Sequence, residues 1–192
     1  MKKLLKIVLF FLPFLLFSGS CKKSAESLNI QPIDHNLIMN SSFESVSGPS
    51  MDGWTFRDST IFSFYPDAPV DGGRYSIILR PVWRGYFSFN AVITKVALPP
   101  DSGRYRLSFW GKRLLNGKGS LHLFIGTGNV DTMTATVTIP VVDTIWTFYS
   151  REIVVANQSS DSVVVALHGG YSPVGHPADS TFFDLCRFER LD

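Results

Sequence analysis

An all-β chain, folded as an antiparallel sandwich or barrel, is what these 192 residues predict. Three observations carry that reading. From residue 37 to residue 192, short apolar runs alternate with clusters of Gly, Pro, Asn, Asp and Ser, the spacing of many short strands closed by turns. No apolar stripe at helical spacing persists for three turns. The composition is poor in the charged helix formers, with 4 Glu and 8 Lys, and rich in Phe, with 16.

The elements follow in chain order. Residues 1–21 read MKKLLKIVLFFLPFLLFSGSC. Lys2, Lys3 and Lys6 give a positive start. The apolar stretch to Phe17 is broken by Pro13 and is shorter than a bilayer core requires. This predicts a secretory signal over 1–20 rather than a membrane span. Ser18, Gly19 and Ser20 are small enough for a peptidase to seat, and Cys21 follows directly. The pattern resembles a bacterial lipoprotein signal, in which the Cys becomes the lipidated first residue. Ser18 stands where Leu is usual, and Phe17 lies one place further back. Ordinary secretion with Cys21 incidental is the alternative reading. Lipidation of Cys21 implies contact with a membrane through the lipid anchor only, with two or three acyl chains needed for a lasting hold. Lys22, in place of the Asp associated with inner-membrane retention, points that resemblance to the outer membrane of the cell envelope.

Residues 21–36 are polar and aperiodic, with Pro32, and read as a tether. Within 37–192, strands are predicted over 37–44, 54–64, 75–80, 87–98, 103–112, 120–126, 132–139, 146–155, 162–168 and 181–191. Turn chemistry separates them at 100–103 (Pro-Asp-Ser-Gly), 116–119 (Asn-Gly-Lys-Gly), 126–129 (Gly-Thr-Gly-Asn) and 157–160 (Asn-Gln-Ser-Ser). A single domain of this size buries roughly 70% of its unfolded surface and needs no disulfide. Cys186 is the one thiol left after Cys21, has no partner, and reads as a small buried hydrophobe.

Composition excludes two classes. With 45% hydrophobic and 18% charged residues the chain is not disordered. The formal charge of +2 includes three lysines of the leader, so no basic field remains to hold nucleic acid.

Five segments carry a family resemblance. NLIMNSSFE at 36–44, followed by Gly53-Trp54-Thr55, looks like the opening of galactose-binding-like jelly rolls, among them carbohydrate-binding modules of families 4 and 9. GRYSIIL at 73–79, LPPDSGRYRLSFWGK at 98–112, WTFYSREIVV at 146–155 and STFFDLCRFE at 180–189 resemble later strands of that fold, in the expected order. The resemblance implies an antiparallel β-sandwich of jelly-roll type whose first and last strands lie side by side. It also implies one structural calcium ion, a hard cation wanting six to eight oxygens. Glu44 and Asp184 match the family's carboxylate positions, and the turn at 67–73 adds Asp71 and backbone carbonyls. A departure is Leu185, where the family often has a second Asp. The alternative is that Glu44 and Asp184 accept backbone N–H groups or pair with Arg74 or Arg187.

A glycan-binding face is the second candidate. In 103–112, Tyr105, Leu107 and Phe109 point one way, and Arg106, Ser108, Trp110 and Lys112 the other. The second set joins a ring that stacks on a pyranose to donors for its hydroxyls. The next strand is expected beside it, with Leu121, Leu123 and Ile125 inward and His122 and Phe124 on the opposite face. The competing reading is a face covered by a loop, a second small core. The loop 81–90 is the third candidate: Trp83, Tyr86, Phe87 and Phe89 surround Arg84 and Gly85, the residue types of binding hot spots. A loop folded onto the sandwich edge is its alternative.

Catalysis finds no motif: there is no Gly-x-Ser-x-Gly, no His-Glu-x-x-His and no phosphate loop. His35, His122, His168 and His176 form no spaced ligand set, and His168 and His176 read as solvated loop residues. The sequence therefore predicts a non-catalytic carbohydrate-binding module displayed on the envelope. Its partner is a glycan, through Trp83, Tyr86, Arg106, Trp110, Lys112 and His122. The alternative is a structural or adhesive module whose partner is a surface protein.

Overall fold

Alternating side chains decide which face of each strand is buried, and the architecture follows from that. The computed structural model describes residues 35–81, 86–126, 128–156, 161–172 and 177–192. The leader, the tether up to residue 34 with Cys21, Trp83 and His176 lie outside them. The strands are β1 (Glu44–Ser45), β2 (Gly48–Pro49), β3 (Thr55–Phe56), β4 (Phe62–Tyr65), β5 (Ser76–Leu79), β6 (Ala91–Ala97), β7 (Gly103–Arg113), β8 (Ser120–Ile125), β9 (Val137–Pro140), β10 (Thr147–Val155), β11 (Ser162–His168) and β12 (Thr181–Arg190). β1 and β2 form a small hairpin. Sheet I has the order β10-β7-β12-β5-β4, and sheet II the order β3-β6-β11-β8-β9. All pairings are antiparallel. This is the all-β, antiparallel β-sandwich that the sequence predicts.

Between the sheets, Tyr105, Leu107 and Phe109 of β7 meet Leu121 and Leu123 of β8 and Val163, Val165 and Leu167 of β11 in one core cluster, all wholly buried. Burying each such large side chain contributes roughly 1.5–3 kcal/mol. Tyr105 stacks on Phe188 of β12, ring centroids 4.9 Å apart.

Four local expectations are corrected. Segment 37–44 turns rather than extending: Asn40 and Phe43 hold left-handed backbone, φ 51° and 56°. Phe43 is kept there by its buried ring, 5.1 Å from that of Trp54. The segment still runs beside the last strand. Leu37 N donates to Phe188 O at 2.8 Å and Cys186 N to Ser41 O at 2.9 Å. Asn36 Oδ1 accepts from Ile38 N at 3.1 Å and Phe188 N at 2.9 Å.

Segment 54–64 divides into β3 and β4, which belong to different sheets. The break is a 3-10 turn, Ser59–Ile61, capped by Asp58, whose Oδ1 accepts from Thr60 N at 2.8 Å. Segment 132–139 is strand only from Val137, and segment 87–98 opens with a 3-10 turn, Phe87–Asn90.

The largest correction concerns β7 and β8, which the sequence sets side by side. They lie in opposite sheets. The turn between them closes with Gly117 N donating to Leu114 O at 2.9 Å, but the chain then crosses the sandwich. Gly119 N donates to Thr181 Oγ1 at 3.0 Å, and the Thr181 side chain leaves no room there for a Cβ. That contact with β12 turns an apparent hairpin into a crossover.

Candidate functional site

Sheet II turns Ser120, His122 and Phe124 of β8, Val164, Ala166 and His168 of β11, and Ala91 and Ile93 of β6 away from the main core. Most of this outer face is not bare. Ala91, Phe124, Val164 and Ala166 form a second, smaller core with Val130, and Phe87, Ile93, Met133 and Ala135 pack against it. The loop carrying Val130 and Met133 is pinned by Asp131. Its carboxylate accepts from Ser88 N at 2.7 Å and Ser88 Oγ at 2.8 Å, and pairs with Arg57 at 3.3 Å.

Beside this plug lies a cleft of about 430 Å³, lined by Phe87, Lys118, Ser120, His122, His168, Gly170 and Tyr171. It is within the range of small-molecule sites, roughly 300–1,000 Å³. It adjoins a hollow of about 170 Å³ that shares Lys118 and Tyr171 and adds Pro81, Asn116, Ser172 and Asp179. The cleft is aromatic. Phe87 stacks on His168 at 4.6 Å and meets His122 edge-on at 4.9 Å, and Tyr171 lies 4.8 Å from His168.

Both histidines are held neutral. Burial lowers the pKa of His122 from 6.5 to about 4. Burial, and then the neighbouring His122, lowers that of His168 from 6.5 to about 3. His122 is satisfied on both nitrogens, by Ser120 Oγ at 2.7 Å and Thr138 Oγ1 at 3.0 Å. His168 is not. Its Nδ1 accepts from Gly170 N at 3.1 Å, which leaves the proton of the neutral ring on Nε2. That donor is buried, with His168 only 4% exposed, and finds no partner among the described residues. Such a group costs roughly 1–3 kcal/mol until something accepts from it.

The outer face of sheet I is a different surface. It holds three of the predicted glycan residues. Arg106 is committed to Glu152, Nη2 to Oε1 at 3.1 Å, and Arg104 reaches the other carboxylate oxygen at 3.1 Å. Their hydrogen bonds hold Glu152 below the usual carboxylate range. Trp110 lies across from Phe148, ring centroids 5.7 Å apart. Lys112 pairs with Asp67 and sits over the rings of Phe182 at 4.6 Å and Trp146 at 4.9 Å. Its charge is used within the fold, and the side chain is 16% exposed. Arg106, Trp110 and Lys112 therefore do not share a face with His122, a correction that follows from the crossover between β7 and β8. Tyr86 is exposed and directly precedes Phe87 of the cleft. Trp83 lies outside the described residues.

The predicted metal residues divide. Glu44 Oε1 accepts from Arg74 N and Tyr75 N, both at 2.5 Å. Asp184 is 0% exposed, and its Oδ1 accepts from Leu185 N at 2.7 Å. Its Oδ2 is buried without a partner among the described residues. Burial, opposed by that backbone hydrogen bond and reinforced by the charge of Glu44, raises the Asp184 pKa from 3.8 to about 8. Gly72 and Gly73 close over the two carboxylates. A Cβ on Gly73 (φ +82°) would come within 2.5 Å of Glu44 Oε2, and one on Gly72 would strike Asp184 Oδ2. Asp71 is exposed, and no group of three or more His, Cys, Asp or Glu gathers among the described residues. Two carboxylates meet here, and Asp71 is not the third.

Sequence reasoning missed Lys118, Ser120 and Tyr171 and set His168 aside as a solvated loop residue. Its place was legible in part. His168 ends the run Ser162–His168, where alternation puts it with Val164 and Ala166, opposite the core-facing valines. That Ser120 stands across from it is a pairing between distant segments, which one strand's pattern does not carry.

No protein-family model matches the chain, and no curated protein sequence matches it. Solved structures do. A family 16 carbohydrate-binding module shares 23% identity over 80% of this chain and 99% of its own, with a TM-score of 0.54. A family 4 carbohydrate-binding module shares 16%, over 80% and 99%, with a TM-score of 0.55. A putative sugar binding protein from Bacteroides thetaiotaomicron VPI-5482 shares 10%, over 81% and 100%, with a TM-score of 0.53. At these identities the likeness is one of fold. The chain has the sandwich that these modules share, as the resemblance of its motifs implied.

Proposed function

We propose that this protein binds a glycan without transforming it, through the cleft between Phe87, His122, His168 and Tyr171. The observation that carries the reading is the buried His168 Nε2–H, a neutral donor in an aromatic cleft, without an acceptor among the described residues. A sugar hydroxyl supplies that acceptor, and the rings supply faces for its C–H groups. The fold supports the same reading, since its solved neighbours include carbohydrate-binding modules. Most glycoside hydrolases work through a pair of carboxyl groups, and the cleft's described lining contributes none.

Binding of the purified protein to a glycan panel tests this, with His168→Gln and Tyr171→Ala alongside. Wild type retains at least one glycan, and each substitution weakens it about tenfold or more. Silence of the wild type across the panel abandons the function. Undiminished binding by both variants moves the site elsewhere.

A calcium ion between Glu44 and Asp184 is part of the proposal, as a structural element. The orphaned, buried Asp184 Oδ2 beside Glu44 fits it, because a cation relieves both the missing partner and the repulsion. Chelation is then expected to lower the melting temperature and added calcium to restore it. No change on chelation removes the ion from the account. Lipidation at Cys21 and residence at the outer membrane complete the reading, and mass spectrometry of the mature N-terminus tests them. An unmodified or absent Cys21 discards the anchor.

A second reading, contact with a surface protein, has one observation in its favour. Strand β10 is an edge of sheet I, and Phe148 (51% exposed) and Val154 (72%) stand on it with Ile145 (72%) just before. Loss of cell-surface co-purification partners in Phe148→Ser, with glycan binding intact, supports this reading; unchanged partners refute it.

A further inference from the structure

The outer face of sheet II is divided. Val130, Met133 and Ala135 cover the middle strands, over Phe124, Val164 and Ala166. The large cleft lies to one side of this cover, and a separate hollow of about 170 Å³, bordered by Thr55, Arg57, Ile93 and Asn129, lies to the other. The cover is built in. Asp131 ties it to the 3-10 turn Phe87–Asn90 by two hydrogen bonds to Ser88, and Asn129 Oδ1 accepts from Asp131 N at 3.0 Å. A polysaccharide lying across the sheet would have to displace a packed apolar cluster, which interiors resist at the level of single methylenes.

We propose that the cleft takes the terminus of a glycan, or a free short oligosaccharide, and not the interior of a long chain. The inference rests on the glycan-binding function proposed above and names the form of ligand that the site admits. The plug packs against Phe87 at one side of the cleft, and the adjoining hollow that shares Lys118 and Tyr171 continues it toward Asn116. The cleft of about 430 Å³ holds about one or two pyranose rings. Sugars beyond those project from the face and gain no contact. Lys118 is exposed at the mouth, where further hydroxyls pass.

Calorimetry with the panel's best glycan, as a series from one to six residues and as the polymer, tests this. Affinity rises to the disaccharide and then stays within about twofold, and the polymer binds in proportion to chain ends rather than mass. Affinity that climbs about tenfold between two and six residues, or a polymer occupied along its length, overturns the inference and leaves the binding function standing. No binding at any length removes both. Thr55→Ala, in the hollow beyond the plug and outside its pinning contacts, leaves affinity within about twofold, whereas Tyr171→Ala costs about tenfold. If Tyr171→Ala does not fold, Lys118→Ala at the exposed mouth replaces it, with a smaller loss expected. A matching loss from Thr55→Ala means that the ligand reaches the far side and overturns the inference.

Discussion

The two outer faces of the sandwich start from the same alternation and end as different surfaces. On sheet I the outward residues are paired with one another: Arg104 and Arg106 on Glu152, Lys112 on Asp67, Trp110 against Phe148. The charged groups named here each have a partner of opposite charge. On sheet II the outward residues are apolar and covered by a loop, and the cover stops short of His168, whose Nε2 it leaves unsatisfied. A surface rich in aromatics and cations is therefore the weaker candidate, and a partly filled one the stronger. What marks a site is an unmet requirement, rather than a collection of capable residues.

That contrast is broken most severely by removing the cover's anchor. Phe124→Ala empties the second core and is expected to cost about 3–5 kcal/mol, against less than about 1 kcal/mol for Phe148→Ala on the other face. Urea unfolding midpoints measure both, and equal costs would mean that the second core is not packed as described. Asp131→Ala unpins the loop and leaves Ser88 unsatisfied, at about 1–3 kcal/mol. Faster limited proteolysis near residue 130 is the accompanying sign, and an unchanged cleavage pattern contradicts the pinning role.

A milder effect separates the faces by pH. His122 and His168 are buried neutral, with pKa values near 4 and 3 against 6.5 in the unfolded chain. The unfolded state takes up protons first as pH falls, so their contribution to stability is complete above 6.5 and declines between about 6.5 and 3. The melting temperature should drop across that window, and His122→Asn should flatten part of the slope. A slope unaltered by the substitution would place His122 in contact with water. The smallest effect belongs to sheet I. Glu152→Gln breaks two exposed ion pairs and should leave the unfolding midpoint almost unchanged, with any difference vanishing at high salt. A larger loss would show that this face is more than a solvated surface.

Much of the fold was legible because it is local. Alternation in 103–112 assigns Tyr105, Leu107 and Phe109 to the core without reference to any other segment, and each is wholly buried. What the chain does not display is which strand lies next to which. The Asn-Gly-Lys-Gly turn resembles a hairpin connection, and its crossover is decided by Thr181, 62 residues away from Gly119. With β8 paired to β11 across the sandwich from β7, His122 leaves the company of Trp110 and joins His168. The second core was equally out of reach, since Val130 and Met133 occupy a segment whose polar neighbours read as turn and strand. The carboxylates were nearer to hand, because Glu44 and Asp184 fall inside recognisable motifs. Asp71 shares the neighbouring turn, but its side chain stays exposed.

Asn36 carries a mechanical consequence. Through its side chain and the backbone of Leu37 it is laced to β12, the middle strand of sheet I. The cleft is on the opposite sheet. A pull at Asn36 opposed by one on sheet II would cross the whole thickness of the sandwich, so the apolar interior, rather than any single loop, would bear it.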